Sequence, residues 1–123
     1  MRQAQADLHS HTYFSDGTSS PEELAGLHYL AVTDHDNTLG IPRALKASQA
    51  TKVEIIPGCE LSCIYNGRSM HIIGLFIDWQ SQKLQAELKH LQISREERTP
   101  QIIAKLQKLG IKISLEDIKK ESG

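Results

Sequence analysis

Asp7-Leu8-His9-Ser10-His11-Thr12-Tyr13-Phe14-Ser15-Asp16-Gly17 brings two histidines and an aspartate to the expected end of a first β-strand. Side chains two positions apart in an extended segment point to the same side, so His9 and His11 project together and are able to chelate one ion. Asp16 follows in a Ser-Asp-Gly sequence typical of turns, which would return its carboxylate towards the imidazoles. Alone, this pattern more often marks a solvated loop after a strand than a metal site.

The composition is that of an ordinary globular domain. The chain has 123 residues, 39% of them hydrophobic, which fits one domain with a modest core. Its 14 Lys and Arg against 15 Asp and Glu exclude a general basic field for long nucleic acid. We find no apolar run long enough for a membrane span and no apolar signal-peptide core at the start, so we expect a cytoplasmic location and no membrane partner.

Cys59 and Cys63 are the two cysteines of the chain. They are too few and too closely spaced for a disulfide framework, which fits a reducing compartment. We expect both to pack in the core rather than to bind metal.

Strands and helices are predicted to alternate along the first part of the chain, which indicates an α/β fold. Apolar runs bounded by turn residues predict the strands, and capping residues followed by Pro predict where the helices begin. The expected strands are 4–9, 27–33 and 53–57; the expected helices are one turn from Ser20-Pro21-Glu22-Glu23 and a longer helix from Pro42 to Ala50.

The second part of the chain is predicted to be largely helical. Apolar residues between 82 and 109 have helical spacing, and Pro100 is predicted to divide this segment into two helices or to bend a single one. Gly110 is expected to end it. Ser114-Leu115-Glu116-Asp117 has the pattern of a capping box that opens a last short helix.

Arg95 and Arg98 of this helical segment are candidate substrate-binding residues. They lie three apart on one helix face and are therefore able to present guanidinium groups to a phosphate. A solvated charged face is the alternative.

Asn66-Gly67 lies between two β-prone runs and predicts a two-residue hairpin, which fixes the register of its strands. Tyr65 then lies opposite Arg68, and the pairing continues to Glu60 opposite Ile73. Directly opposed residues share a face. One face therefore carries Glu60, Ser62, Ile64 and His71, with Glu60 and His71 as diagonal neighbours. The other, apolar face is predicted to be buried and carries Leu61, Cys63, Met70 and Ile72.

Four clusters follow in order: DLHSHTYFSDG at 7–17, TDHD at 33–36, PGCELS at 57–62, and His71 after the hairpin. This ordered set resembles the PHP family, named for polymerase and histidinol phosphatase. Members that resemble this sequence are distorted (β/α) barrels with three divalent ions at their strand ends. The resemblance covers most of the chain and implies the N-terminal part of such a barrel with a helical insertion. The implied division is metal-site βα units and hairpin at 1–78 and a helical segment at 79–123.

The resemblance also implies roles for particular residues. Six of them would form the catalytic metal centre: His9, His11 and Glu60 at one ion, Glu60 bridging to a second ion with His71, and Asp16 with His35 at a third. Three carboxylates would orient the imidazoles through hydrogen bonds: Asp7, Asp34 and Asp36. Such hard oxygen and borderline imidazole donors favour Mn, Zn or Fe, with up to three ions in a complete site.

Within the family, the segment from His71 through Arg95 and Arg98 is most similar to bacterial members that act on nucleoside 3',5'-bisphosphates and on the 5' ends of short RNA. The implied function is hydrolysis of a nucleotide or short-RNA phosphate ester by a metal-activated water, with these arginines binding the substrate. Two alternatives stay open: a non-catalytic metal-binding remnant or fragment, and the PHP module of a replicative DNA polymerase.

Two departures from the family pattern affect these expectations. Relatives carry about two more turns of helix between Pro21 and the glycine matched by Gly26. They also supply further ligands from strands that would follow Gly123. We therefore expect either a fragment of a longer protein or a degenerate relative, which alone binds metal weakly, hydrolyses poorly and exposes apolar strand edges.

Overall fold

The structure is a computed structural model that describes residues 5–20 and 28–121. The elements of this part of the chain are β1 (Ala6–Ser10), β2 (Tyr29–Val32), α1 (Gly40–Ser48), β3 (Glu54–Tyr65), β4 (Arg68–Leu75), α2 (Gln82–Lys108) and α3 (Leu115–Glu121). The one-turn helix predicted from Ser20 lies outside the described residues, except for Ser20 itself. The predicted order of strands and helices is otherwise confirmed.

The four strands form one sheet in the order β1-β2-β3-β4. β1 pairs with β2, and β2 with the first part of β3, in parallel, whereas β3 and β4 are antiparallel. The carboxyl ends of the three parallel segments therefore meet at one edge of the sheet, and the polar motifs of the sequence follow these ends.

β3 differs from the prediction because it is one continuous strand of 12 residues rather than a strand at 53–57 and a separate hairpin arm. It pairs with β2 as far as Pro57 and with β4 from Gly58 onward. A Cβ atom on Gly58 would lie 2.8 Å from Thr33 Cγ2 and 2.9 Å from the Gly74 carbonyl oxygen. Glycine at this position thus lets the strand change partners without a break.

The predicted hairpin is confirmed. Asn66 and Gly67 both have positive φ, 49° and 73°, as a type I′ turn requires. The observed register runs from Tyr65 opposite Arg68 to Glu60 opposite Ile73, as the sequence predicted.

The predicted burial of the apolar hairpin face is wrong. Met70 is 42% exposed and Ile72 is 49% exposed, and Cys63 is only half-buried. Arg95 of α2 contacts Ser62, which lies on the opposite face, so α2 approaches the polar side of the hairpin. Within the described residues, the apolar side has no covering helix.

The core lies between α1 and the parallel part of the sheet. Its centre is formed by three buried side chains, Val32, Ile41 and Ala44, and around them pack Leu45, Ile55, Ile77 and Trp79. Pro42 is tolerated because it lies in the first turn of α1. Cys59 is 2% exposed, so its predicted role in packing is confirmed.

α2 is a single helix of 27 residues with Pro100 in its interior, so the division into two helices is wrong. It ends as predicted: the Gly110 N–H donates to Gln107 O at 3.0 Å and the Ile111 N–H to Leu106 O at 3.1 Å, the two bonds of a Schellman motif. None of the described helices combines the length and apolar content needed to cross a membrane.

The predicted capping box of α3 is also confirmed. The Asp117 N–H donates to Ser114 Oγ at 3.1 Å, and the Ser114 N–H donates to an Asp117 oxygen at 2.9 Å. Hydrogen bonds from the Ser114 hydroxyl and backbone lower the pKa of the Asp117 carboxyl.

Candidate metal centre

Five candidate ligands arrive at the carboxyl edge of the sheet from four strands. His9 lies in β1 and His11 just beyond its end, while His35 follows β2. β3 passes through the edge at Glu60, and β4 returns to it at His71, which the hairpin register places diagonally from Glu60. The hairpin and the parallel strands therefore contribute to one site.

A bulge in β1 affects the orientation of the His9 side chain. Asp7 pairs with Leu30 and Ser10 with Val32, so one extra residue of β1 is inserted between these pairs. The His9 N–H donates to Asp7 Oδ1 at 3.0 Å. Asp7 thus holds the backbone of His9, and the prediction that it orients an imidazole directly is wrong.

Glu60 lies at the centre of the cluster and is 5% exposed. Its Oε2 lies 2.8 Å from His9 Nε2 and 3.0 Å from His11 Nε2, and its Oε1 lies 2.8 Å from His71 Nδ1. Burial is the largest single effect on the Glu60 carboxyl and raises its pKa. The hydrogen bond with His9 and the charges of the neighbouring imidazoles together outweigh burial and hold this pKa below its ordinary value.

Asp16 and His35 lie beside this carboxylate. The two oxygens of Asp16 are each 3.4 Å from an imidazole nitrogen, one from His11 Nδ1 and the other from His35 Nε2. His35 Nε2 is also 3.7 Å from Glu60 Oε2. Burial lowers the pKa of His35 and outweighs the opposing charges of Glu60 and Asp16, so the neutral imidazole is favoured.

These donors form three overlapping groups whose ligand atoms lie within 4.8 Å of one another: His9, His11 and Glu60; His11, Asp16 and His35; and His35, Glu60 and His71. The predicted proximity of the six residues is therefore confirmed. The Nε2 atoms of His9 and His11 are 2.9 Å apart, and both face the same carboxylate oxygen. Two imidazole nitrogens converging on a carboxylate are a donor set that divalent transition ions prefer, so the residues fit a metal.

Asp34 orders the loop that carries Asp16. It is 1% exposed and accepts from the Thr12 N–H and the Thr12 hydroxyl, both at 2.6 Å, and from the Ser15 hydroxyl at 3.0 Å. A Cβ on Gly40 would lie 2.6 Å from Asp34 Oδ2, so α1 approaches this closely only with glycine there. The predicted hydrogen bond from Asp34 to an imidazole is wrong, because within the described residues its oxygens accept from Thr12 and Ser15 and from no histidine ring.

Asp36 connects the site to α2. Its φ is +50°, and its side chain is 1% exposed. Oδ1 accepts from the Ser62 N–H at 2.7 Å, and the Asp36 N–H donates to Glu60 O at 3.0 Å. Gln92 donates to Asp36 O at 2.8 Å, and Arg95 Nε lies 3.0 Å from Oδ2 in an ion pair that is poorly aligned as a hydrogen bond. Asp36 therefore positions backbone and not an imidazole.

The role of α2 at this point was missed in the sequence. The available signal was the spacing of Gln92 and Arg95, which lie three apart and so share a helix face. Nothing in the sequence indicated that this face meets the loop after β2.

Arg95 and Arg98 line a cavity of about 270 Å³ next to the cluster. Arg95 Nη2 donates to Ser62 Oγ at 2.8 Å, and Ser62 pairs with His71 across the hairpin. Arg98 has no hydrogen bond or ion pair within the described residues. The other two histidines of the chain, His28 and His90, are exposed and were not predicted to bind metal.

Comparison with known proteins identifies the class. The profile of the PHP domain matches residues 7–115, so the chain belongs to the PHP domain family. It is similar to the 5'-3' exoribonuclease of Haemophilus influenzae, with 40% identity over 85% of this chain and 40% of the relative. It is also similar to the 3',5'-nucleoside bisphosphate phosphatase of Chromobacterium violaceum, with 36% identity over 88% of this chain and 40% of the relative.

A solved structure supports the fold assignment. A crystal structure from Bifidobacterium adolescentis, of a proposed metal-dependent phosphoesterase, superimposes with a TM-score of 0.86 at 28% identity, covering 95% of this chain and 43% of that one. The predicted fold class, α/β with part of a (β/α) barrel, is thereby confirmed. The chain spans about 40% of the length of the curated relatives it matches.

Proposed function

We propose that the protein is a metal-dependent phosphoesterase that hydrolyses a phosphate ester of a nucleotide or of a short RNA end. The observation that carries this proposal is the convergence of imidazoles on both oxygens of buried Glu60. The names of the two relatives, an exoribonuclease and a nucleoside bisphosphate phosphatase, support the nucleotide class of substrate.

In this proposal the six converging residues are metal ligands. His9, His11 and Glu60 hold one ion, Glu60 and His71 hold a second, and Asp16 and His35 hold a third. The distances also make His11 available to the third ion and His35 to the second. We favour Mn, Zn or Fe because the donors mix carboxylate oxygen with imidazole nitrogen. Bound ions of this kind supply a water of lowered pKa and neutralise charge on phosphoryl oxygens.

The protein residues then position the reacting groups. Glu60 uses both oxygens and so fixes the distance between its imidazole partners. The neutral form of His35, which burial favours, keeps a nitrogen lone pair available as a ligand. Asp34 and Asp36 keep the surrounding backbone in place without contacting the ligands' rings.

Arg95 and Arg98 are proposed to bind a substrate phosphate in the adjoining cavity. Arg98 is the stronger candidate because its guanidinium has no partner in the described part of the chain. Arg95 has committed Nε to Asp36 and one Nη2 hydrogen to Ser62, so it has fewer donors left to meet a ligand than Arg98 has. A phosphate held here would lie beside Ser62 and hence close to His71.

We also propose that the protein works in the cytoplasm. Cys59 and Cys63 are both free thiols, which is the usual state of cysteines in a reducing compartment.

The test is phosphate release from a nucleoside 3',5'-bisphosphate by the protein at its natural length with added Mn. We expect Glu60→Gln and His9→Ala to lower kcat/KM by about 100-fold or more, since each removes a ligand. His90→Ala, which changes an exposed histidine, is the matched control. Absence of turnover with Mn, Zn and Fe would refute the function, and full activity in Glu60→Gln would refute the site.

Metal binding gives a second measurement that does not depend on turnover. Titration of the 123-residue chain with Co²⁺ should produce visible absorption bands, which Glu60→Gln and His9→Ala weaken and His90→Ala preserves. Unchanged spectra in the first two variants would show that the ion binds elsewhere.

A further inference from the structure

Two aromatic side chains lie in the loop between candidate ligands His11 and Asp16, and neither has a part in the metal centre. The rings of Tyr13 and Phe14 are 4.8 Å apart between centroids and inclined by 39°. The Arg43 guanidinium carbon lies 5.3 Å from the Tyr13 centroid and 5.7 Å from that of Phe14, and Arg43 also donates a hydrogen bond to the Tyr13 hydroxyl. We call these three side chains the aromatic platform.

The backbone beneath the platform is fixed on several sides. The Tyr13 N–H donates to Ser19 O at 3.1 Å, and the Phe14 N–H donates to the Thr12 hydroxyl at 3.2 Å. Thr12 is fully buried and is itself held by Asp34. The rings are therefore presented by an ordered loop, and a ligand meeting them would not have to order this backbone first.

The platform lies next to the metal centre. One amide group, that of Asn37, donates both to Phe14 O at 2.8 Å and to His35 O at 3.1 Å. On the other side of Phe14, the Ser15 hydroxyl is 3.4 Å from His11 Nδ1. The Phe14 backbone is thus flanked by Asn37 and Ser15, which contact the candidate ligands His35 and His11.

The rings do not serve the hydrophobic core. Tyr13 is 41% exposed and Phe14 is half-buried, whereas the core side chains Val32 and Ile41 are fully buried. Exposed aromatic rings and guanidinium planes in a rigid setting are the groups on which unpaired nucleobases stack.

We propose that the aromatic platform of Tyr13, Phe14 and Arg43 stacks the nucleobase of the substrate while the adjoining metal centre takes its phosphate. This inference rests on the proposed function and names a specificity determinant for it. The base would lie on the α1 side of the centre, and Arg98 lies on the α2 side. A nucleotide would therefore span the candidate ligands between two sets of binding residues.

The test compares ligands with and without a base, using the 123-residue chain and NMR titration. The ligands are adenosine 3',5'-bisphosphate, its abasic counterpart with hydrogen in place of the base, and adenosine. The variants are Tyr13→Leu, Phe14→Leu and the double substitution, which keep apolar bulk but remove the rings. Tyr65→Leu, at an exposed tyrosine of the hairpin turn, is the control.

We expect the double variant to bind the bisphosphate about tenfold more weakly or worse, with the abasic ligand changed by no more than about twofold. Tyr13→Phe keeps the ring and should retain affinity even though it loses the hydrogen bond from Arg43. Tyr65→Leu should match the unmodified chain. Chemical shift changes on adding adenosine should include the Tyr13 and Phe14 rings.

Equal weakening of the bisphosphate and its abasic counterpart would overturn the inference, because the loop would then act only by positioning the metal ligands. Equal affinity of the unmodified chain for these two ligands would overturn it as well. The proposed function fails separately: adenosine binding that depends on the rings, without hydrolysis of any nucleotide ester by the natural-length protein, would support the platform and refute the phosphoesterase.

Discussion

The carboxyl edge of the sheet buries polar side chains, whereas the apolar face of the hairpin, here called the outer hairpin face, leaves apolar side chains exposed. At the edge, buried residues include Thr12, Asp34, Asp36 and Glu60, all polar and none more than 5% exposed. On the outer hairpin face, apolar Ile72 is 49% exposed. β3 contributes to both regions, with Glu60 at the edge and Cys63 on the outer hairpin face.

The comparison shows that side chains of this chain are buried where other elements provide hydrogen-bond donors or a surface to pack against. Each buried carboxylate of the edge accepts hydrogen bonds from backbone or side-chain donors brought by other elements, which compensates for the loss of water. The outer hairpin face has the right apolar pattern, but within the described residues no element packs on it. An apolar surface becomes core only when a second surface covers it.

The largest effect on stability is expected from removing the Asp34 carboxylate at the carboxyl edge of the sheet. Asp34→Ala leaves the buried Thr12 N–H and hydroxyl without their acceptor. We expect the free energy of unfolding to fall by about 3 kcal/mol, as found for buried donors left unsatisfied. Urea denaturation measures this, with Ile72→Ala on the hairpin as the control. A smaller loss for Asp34→Ala than for Ile72→Ala would reverse the comparison.

A second, smaller loss is expected where α2 reaches the edge. Arg95→Ala removes the cation facing buried Asp36, and because Arg95 is 45% exposed we expect a loss of only about 2 kcal/mol. Arg98→Ala is the matched variant one turn later. It should change stability by no more than about 0.5 kcal/mol and should weaken phosphate binding instead. If both variants are equally stable, the ion pair with Asp36 contributes nothing to stability.

The hairpin face should tolerate charge. Ile72→Lys places an ammonium on a side chain that is already half exposed, so we expect a stability change of no more than about 0.5 kcal/mol. The same substitution should reduce self-association of the 123-residue chain, because an exposed apolar strand face favours contact between copies. Sedimentation velocity over a range of concentrations measures this. Unfolding of the variant would mean that the face is covered in solution.

The reactivity of the two cysteines compares the two regions without any substitution. Cys59 lies at the carboxyl edge and Cys63 in the hairpin. Burial, together with the charge of Asp36, raises the pKa of Cys59 to about 12, so its reactive thiolate is scarce at neutral pH. Cys63 is half-buried in the hairpin. We expect iodoacetamide to label Cys63 in the folded chain and Cys59 only after unfolding, as read by peptide mass. Early labelling of Cys59 would indicate that the edge opens.

The parts of this structure that could be predicted are those that depend on local backbone rules. Asn66-Gly67 fixed the hairpin register, and that register brought Glu60 and His71 together. The alternation of side chains in β1 brought His9 and His11 together. In each case a turn type or a period of two is enough to determine the outcome.

The parts that were missed depend on which surfaces meet. Gly58 permits β3 to continue because of the space between Thr33 and Gly74, which are distant in sequence. The position of α2 over the Asp36 loop decides both that Arg95 pairs with a carboxylate and that Met70 stays exposed. Pro100 stays within α2, so of the two predicted outcomes, a break or a bend, the break is wrong.

The pairing of β3 with both β2 and β4 also affects the order in which the candidate metal centre assembles during folding. β3 and β4 pair through residues close together along the chain, from Tyr65 with Arg68 outward, whereas β1 and β2 join segments separated by a long connection. Local hairpins form within about 1–10 μs, and distant parallel pairing is slower because a long loop must close first. Glu60 and His71 should therefore already be neighbours when His9 and His11 arrive.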